Sequence, residues 1–147
     1  MKPEFELKPN IGVGPIKLGV DRVEALDSMG QEPDSFMKTP MSIHPTDSFY
    51  EAGFQIAYGG VRPKVESIEL SRGCGFEAIF SGVSIFNLLV PEVLSKIKEV
   101  TGYTPQTEDN GYTYEIAQLG LWLWRQSNEL VDNGMYFSTI GVGTPST

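Results

Sequence analysis

The chain has 147 residues, the length of one ordinary domain, and its 40% hydrophobic and 11% aromatic content is typical of a globular protein with a buried core. Nineteen acidic residues against eleven basic ones give a formal net charge of −8, which argues against nucleic acid or an anionic membrane as partner, because both need a basic surface. One cysteine, Cys74, and one histidine, His44, leave no basis for an intrachain disulfide or a zinc site.

The N-terminal segment "MKPEFELKPN" has no apolar run suited to a signal peptide. The apolar runs elsewhere are far shorter than the roughly 20 residues that a membrane-spanning helix needs. We therefore expect a cytoplasmic protein without a membrane partner. Its acidic charge favours solubility first and attraction to a basic partner second.

A glycine-rich stretch, "GVGPIKLG" from Gly12 to Gly19, precedes the first predicted helix and raises the question of a phosphate loop. Such a loop aims successive backbone N–H groups at an anion, and its Walker form ends in Gly-Lys-Ser/Thr. Here Pro15 removes one donor, Asp21 places a negative charge at the helix start, and the terminal motif is missing. We interpret the stretch as a turn before a helix.

Two short helices are predicted. The first begins at Asp21 and ends near Gly30, and the second begins at Pro91 and ends at Gly102. Their apolar stripes are Val20, Val23, Leu26 and Met29 in the first helix, and Val90, Val93, Leu94, Ile97 and Val100 in the second.

Most of the remaining chain reads as strands, separated by turn-forming segments. The predicted strands are Phe5 to Leu7, Phe49 to Tyr58, Val65 to Ser71, Ala78 to Phe86, Tyr112 to Trp124 and Tyr136 to Val142. The segment Asp34 to Ser48 is rich in Pro, Ser and Thr and predicts a loop. This pattern predicts an α+β fold with helices packed on one face of an antiparallel sheet.

The two halves of the sequence resemble each other. Residues 1–74 and 75–147 each contain a short apolar segment, a turn, a helix that ends at glycine, and paired strands. Gly53 aligns with Gly120, and Ile68 aligns with Ile140. We therefore expect a single domain, 1–147, built from two degenerate half-repeats that share a core.

Both tryptophans lie in "LGLWLWRQ", Leu119 to Gln126, where a strand would be apolar on both faces. The repeat assigns one face of the sheet to the core: Phe54, Ile56, Tyr58, Ile68, Leu70, Leu121, Leu123, Ile140 and Val142. On the opposite face the first half has Gln55, Ala57, Ser67 and Glu69, whereas the second half has Trp122, Trp124, Phe137 and Thr139. Either this chain or a homodimer covers the aromatic residues, or another protein binds there, as exposed aromatic patches commonly indicate.

The residues that could carry catalysis do not form a motif. His44 lies in a polar loop, Cys74 lies between glycines, and no G-x-S-x-G nucleophile motif is present. The adjacent acids Glu108 and Asp109 precede an Asn-Gly turn and lack the alternate spacing of a calcium loop. We therefore expect a protein that is not an enzyme and has no metal or other cofactor.

The segment "GVGPIKLGVDRVEALDSMGQEPD" resembles the opening of small bacterial α+β modules such as the β-lactamase inhibitor proteins. Leu18, Gly19, Val23, Gly30 and Pro33 stand at the matching positions, and Val20 replaces the usual methionine. The remaining pattern is similar to that of cytoplasmic immunity proteins of bacterial toxin systems, including contact-dependent growth inhibition. This resemblance implies an inhibitor that binds and neutralises one cognate toxin domain.

The leading hypothesis is thus an immunity protein that occludes a cognate toxin, often a basic nuclease domain. The candidate contact residues are Trp122, Trp124, Phe137 and Glu69, and the candidate steering acids are Glu108, Asp109, Glu129 and Asp132. The alternative is a sensor module without catalytic activity, which would bind a small molecule or peptide between the sheet and the 34–48 segment.

Overall fold

The computed structural model describes residues 2–145 and has an α+β fold dominated by its sheets. The helices are α1 (Arg22–Met29) and α2 (Val90–Thr101). In the first half the strands are β1 (Glu4–Lys8), β2 (Gly12–Val13), β3 (Ile16–Lys17), β4 (Asp34–Phe36), β5 (Thr46–Phe49), β6 (Phe54–Gly59) and β7 (Lys64–Ser71). In the second half they are β8 (Glu77–Phe80), β9 (Val83–Ser84), β10 (Thr113–Ile116), β11 (Leu121–Trp124) and β12 (Thr139–Gly143).

The larger sheet has seven antiparallel strands in the order β10-β11-β12-β7-β6-β5-β4. Its central pair joins the two halves of the chain, with Gly141 of β12 opposite Glu69 of β7. From this pair β11 and β10 follow on one side, and β6 and β5 follow on the other. Strand order on the two sides therefore matches, as expected for half-repeats.

The smaller sheet has the order β3-β2-β1-β8-β9 and also joins the halves at its centre, where β1 and β8 run parallel. Side chains of both sheets and of α2 form one buried cluster. Within it the ring of Phe5 in β1 packs edge to face on Phe54 in β6, with 4.8 Å between ring centroids. One hydrophobic core therefore lies between the sheets.

Five predicted segments differ from the observed elements. The predicted strand from Ala78 to Phe86 is divided into β8 and β9 and ends in a 3₁₀ turn over Ile85–Asn87, and the strand predicted from Tyr136 to Val142 begins only at Thr139. The 34–48 segment is not all loop, because β4 and β5 lie at its two ends. The predicted strand from Phe49 to Tyr58 is interrupted where Tyr50, Glu51 and Ala52 all adopt positive φ, a conformation that reverses the chain into β6. The sequence gives no glycine or proline signal at those three positions.

The predicted strand from Tyr112 to Trp124 is a hairpin. A 3₁₀ turn over Ala117–Leu119 separates β10 from β11, and Gly120 follows it with a φ of 61°. A Cβ atom at Gly120 would collide with the backbone carbonyl of Gly143. This glycine is therefore required by both its backbone conformation and its close contact.

Both helices end at the predicted glycines, Gly30 and Gly102, which adopt the left-handed conformation. The stripe of α2 is buried at Val90, Val93 and Ile97 but not at its end, where Val100 is exposed. The predicted stripe of α1 is wrong at Val23, which is 72% exposed. Among the described residues, no helix is long and apolar enough to cross a membrane.

A buried carboxylate fixes α1 to the edge of the larger sheet. Asp47 in β5 has no exposed side-chain surface, and its two oxygens accept hydrogen bonds from Arg22 Nε and Nη2 at 2.8 and 2.9 Å. Ser35 Oγ and Tyr58 Oη donate to the same carboxylate at 2.6 and 2.7 Å. The group therefore has partners from α1, β4 and β6, which satisfy the requirement that a buried charge be paired and hydrogen-bonded.

Candidate functional site

The two faces of the larger sheet differ as the alternation predicts. All nine side chains assigned to the core face, from Phe54 to Val142, are buried. We call the opposite surface the far face; it is formed by Gln55, Ala57, Ser67, Glu69, Thr113, Glu115, Trp122, Trp124, Thr139, Gly141 and Gly143. The candidate site lies here.

Trp122 packs against the far face because its neighbours on β12 are glycines. A Cβ atom at Gly141, directly opposite, would collide with the indole ring, and one at Gly143 would lie 3.1 Å from indole Cζ3. The ring therefore occupies the space that side chains at these positions would fill. This contact leaves Trp122 half-buried.

Trp124 is the more accessible tryptophan, with 40% of its surface exposed. Its cross-strand neighbours are Thr113 on β10 and Thr139 on β12. Both threonines are shorter than the indole, so the ring stands above its neighbours.

Carboxylates border the tryptophans on the β10 side. Glu115 is paired opposite Trp122 and is exposed, as is Glu108 in the preceding turn. Asp109 Oδ1 accepts hydrogen bonds from the backbone N–H of Thr113 at 2.8 Å and from Thr107 Oγ1 at 3.1 Å. The bond from the Thr113 N–H is the main cause that lowers the pKa of Asp109, so this carboxylate stays charged.

Glu115 was not among the predicted site residues. Its place beside Trp122 depends on the β10–β11 hairpin, and the sequence interpretation treated that region as one continuous strand. A turn predicted at Gly120 would have made this region a hairpin and placed Glu115 opposite Trp122.

Glu69 lies on the far face as predicted, but its charge is compensated within the chain. Its Oε2 atom is 3.0 Å from Lys38 Nζ, which also lies 3.4 Å from Gln55 Oε1. Lys38 belongs to the segment between β4 and β5, which crosses this side of the sheet. The free acidic charge of the tryptophan region therefore lies on its β10 side.

Phe137 is not on the far face, and its prediction as a contact residue is wrong. Its side chain is 1% exposed and packs edge to face on Tyr114, with 6.0 Å between ring centroids. The error arose because alternation was counted from Tyr136, whereas β12 begins at Thr139. Alternation does not extend past the end of a strand.

Glu129 and Asp132 are exposed in the loop that connects β11 to β12. Buried Arg125 fixes this loop: its Nη1 donates to the Gly134 carbonyl at 2.8 Å, and its Nη2 donates to the Asn128 carbonyl at 3.2 Å. Its Nε donates to the Gly111 carbonyl at 2.8 Å, in the turn that follows Glu108 and Asp109. One guanidinium therefore holds both acidic segments at a fixed spacing, a role that the sequence did not indicate.

The residues considered for catalysis make other contacts. His44 Nε2 lies 2.7 Å from the Gly60 carbonyl and donates to it. Cys74 packs against Gly53, and its Sγ atom lies 3.8 Å from the Arg72 carbonyl. Within residues 2–145, no cluster of three or more His, Cys, Asp or Glu side chains could hold a metal ion.

The Trp122 contact predicts that Gly141→Ala displaces the indole from the sheet. Because the added methyl occupies the ring position, we expect Trp122 to move into solvent and the fluorescence emission to shift to longer wavelength. Loss of this packing should reduce the free energy of unfolding by about 1 kcal/mol. In a Trp122→Ala background the same substitution should change stability little; an equal loss in both backgrounds would contradict the contact.

Comparison of the chain with protein-family models, with curated proteins and with solved structures found no match. What the protein binds is therefore inferred from its own far face.

Proposed function

We propose that this chain is an immunity protein, which binds a basic toxin domain on the far face around Trp122 and Trp124 and neutralises it by occlusion. The observation that carries the proposal is an exposed tryptophan, beside a half-buried one, bordered by the carboxylates of Asp109 and Glu115.

Aromatic side chains inside a charged border are the arrangement that protein interfaces use most effectively. Tryptophan and arginine dominate the binding energy at such sites, and a tryptophan ring attracts the cationic head of lysine or arginine. The net charge of −8 adds long-range attraction for a basic partner and increases the association rate.

The surface is also preformed. Gly141 and Gly143 hold Trp122 in place, and Arg125 holds the two acidic segments. Binding therefore requires little ordering of the free chain, which preserves affinity.

The negative charge of the chain favours a different protein, rather than a second copy of this chain, as the partner that binds the far face. A symmetric dimer through the far face would bring together two chains that each carry a net charge of −8, because a twofold interface uses one patch twice. Like charges placed together at an interface disfavour association. The resemblance to immunity proteins supports a toxin domain as the basic partner.

The proposal predicts that a toxin is encoded beside the gene of this chain, and growth of bacteria that produce both proteins tests it. The unmodified chain should restore growth, and Trp124→Ala should weaken toxin binding by about 30-fold, equivalent to about 2 kcal/mol. Val23→Ala on α1 is the matched control, since Val23 is also exposed and apolar but lies away from the far face.

Equal protection and equal affinity for Trp124→Ala and Val23→Ala would exclude the far face as the toxin site. Failure of the unmodified chain to protect against that toxin would exclude the immunity function itself.

A further inference from the structure

A pocket of about 440 Å³ lies beside the far face, between the segment that joins β4 to β5 and the hairpin of β6 and β7. Its apolar side includes Met41 and Ile43, and its polar side includes His44 and Glu66. It lies where the alternative hypothesis placed a ligand, between the sheet and the 34–48 segment, and it shares Ala57 with the far face.

Glu66 reaches the pocket because of a β-bulge. Ala57 of β6 pairs with Ser67, whereas the next residue, Tyr58, pairs with Val65. Glu66 is therefore an extra residue on β7, and a bulge of this kind redirects a side chain out of the regular alternation.

The redirected carboxylate lies across Gly59. A Cβ atom added to Gly59 would be 2.7 Å from Glu66 Oε2, so a side chain at this position would displace the carboxylate. The sequence pair Gly59 and Glu66 thus places a negative charge on the wall of the pocket.

This charge is not neutralised by the chain. Among residues 2–145, no lysine, arginine or histidine nitrogen lies within 4.0 Å of the Glu66 carboxylate, and no hydrogen bond reaches it. The two basic residues at the pocket are engaged elsewhere, because Lys38 pairs with Glu69 and His44 donates to the Gly60 carbonyl. Within the described residues, the Glu66 carboxylate therefore remains available as an acceptor.

The opposite wall is apolar and open. Met41 is 87% exposed and Ile43 is 83% exposed. Lysine and arginine side chains combine a hydrocarbon stem with a cationic head, so the stem can lie against these two residues while the head reaches Glu66.

We propose that this pocket receives a lysine or arginine side chain of the basic partner. The inference rests on the proposed function and adds a second contact to it. Glu66 and Glu69 are three residues apart on β7, or about 10 Å at roughly 3.3 Å per residue, so one partner can cover both the pocket and the far face.

The test is an NMR titration of the isolated ¹⁵N-labelled chain with N-acetyl-arginine amide, which represents an arginine side chain within a protein. Saturable shifts are expected at the amides of Gly59 and Gly60. The neutral analogue N-acetyl-citrulline amide should bind at least about tenfold more weakly, because it lacks the cation. Glu66→Gln should remove the difference between the two probes, and Glu99→Gln, an exposed glutamate on α2, should preserve it.

Gly59→Ala provides a second variant that keeps the charge but displaces the carboxylate, and it should also weaken the arginine probe. Equal binding of both probes, no saturable shift, or full binding by Glu66→Gln would overturn the assignment. Binding of free agmatine without binding of the capped arginine would also overturn it and would indicate a small-molecule amine site. Since no toxin is used, these results leave the growth test of the proposed function independent.

Discussion

Phe137→Ala should lower the free energy of unfolding by about 3–5 kcal/mol, whereas Trp124→Ala should lower it by about 1 kcal/mol or less. Phe137 is 1% exposed and packs on Tyr114, so its removal leaves a cavity in the core. Trp124 is 40% exposed and lies at the surface, so its truncation leaves no enclosed cavity. Urea unfolding of both variants gives the two values.

The same pair of variants distinguishes a residue that stabilises the fold from a residue that is available to bind a partner. Phe137→Leu is the control that retains apolar volume, and it should recover most of the lost stability. A loss below about 1 kcal/mol for Phe137→Ala would contradict its burial and would return Phe137 to the candidate contact residues.

Asp47→Ala should lower the free energy of unfolding by about 3 kcal/mol, because it leaves Arg22, Ser35 and Tyr58 without their common acceptor. We place the loss at the lower end of the range for broken buried pairs, because the Arg22 side chain is 35% exposed and can turn to water. Tyr58→Phe removes one hydrogen bond and should cost about 1 kcal/mol. Asp27→Ala, an exposed acid on the same helix as Arg22, should change stability little.

The Asp47 network also predicts how stability depends on pH. Burial by itself raises the pKa of the Asp47 carboxyl, but hydrogen bonds from Arg22, Ser35 and Tyr58 outweigh burial and hold the pKa below its usual value of 3.8. A lowered pKa stabilises the folded chain above the value of the unfolded chain, and this contribution is lost as pH falls through the lower, folded value. Unfolding curves below about pH 4 should therefore converge for the unmodified chain and Asp47→Ala; a difference that stays constant to pH 2 would contradict the network.

Local signals in the sequence predicted the regular parts of the fold. Glycines that permit positive φ ended both helices at Gly30 and Gly102, and alternation placed Leu121 and Leu123 in the core. The α+β class followed from those elements.

What the sequence could not indicate depends on contacts between distant segments. From the sequence alone, Asp47 is a polar residue in a predicted loop, and only the folded chain brings Arg22 and Tyr58 to its carboxylate. Arg125 likewise resembles a surface cation, and only the folded chain surrounds it with carbonyl acceptors. The turn at Tyr50 to Ala52 was missed because non-glycine residues adopt positive φ there. Such features are set by tertiary structure, which overrides local preference.

For the same reason, only part of the candidate site could be predicted from the sequence. Trp122 and Trp124 were assigned to the far face from alternation within one strand, and the structure places them there. The contact of Trp122 with glycines on β12, and the position of the Glu115 carboxylate beside it, could be predicted only from the register of three strands. Cross-strand register is set by the whole sheet rather than by a single segment.

Oxidative footprinting, read by mass spectrometry, of the chain alone and in complex with the toxin domain that the proposed function requires tests whether the far face is the binding surface. Binding on the far face predicts that labelling of Trp124 falls several-fold in the complex, while Val23 on α1 and Val100 on α2 keep their labelling. Unchanged labelling of Trp124, with protection on the helices instead, would show that the toxin binds elsewhere.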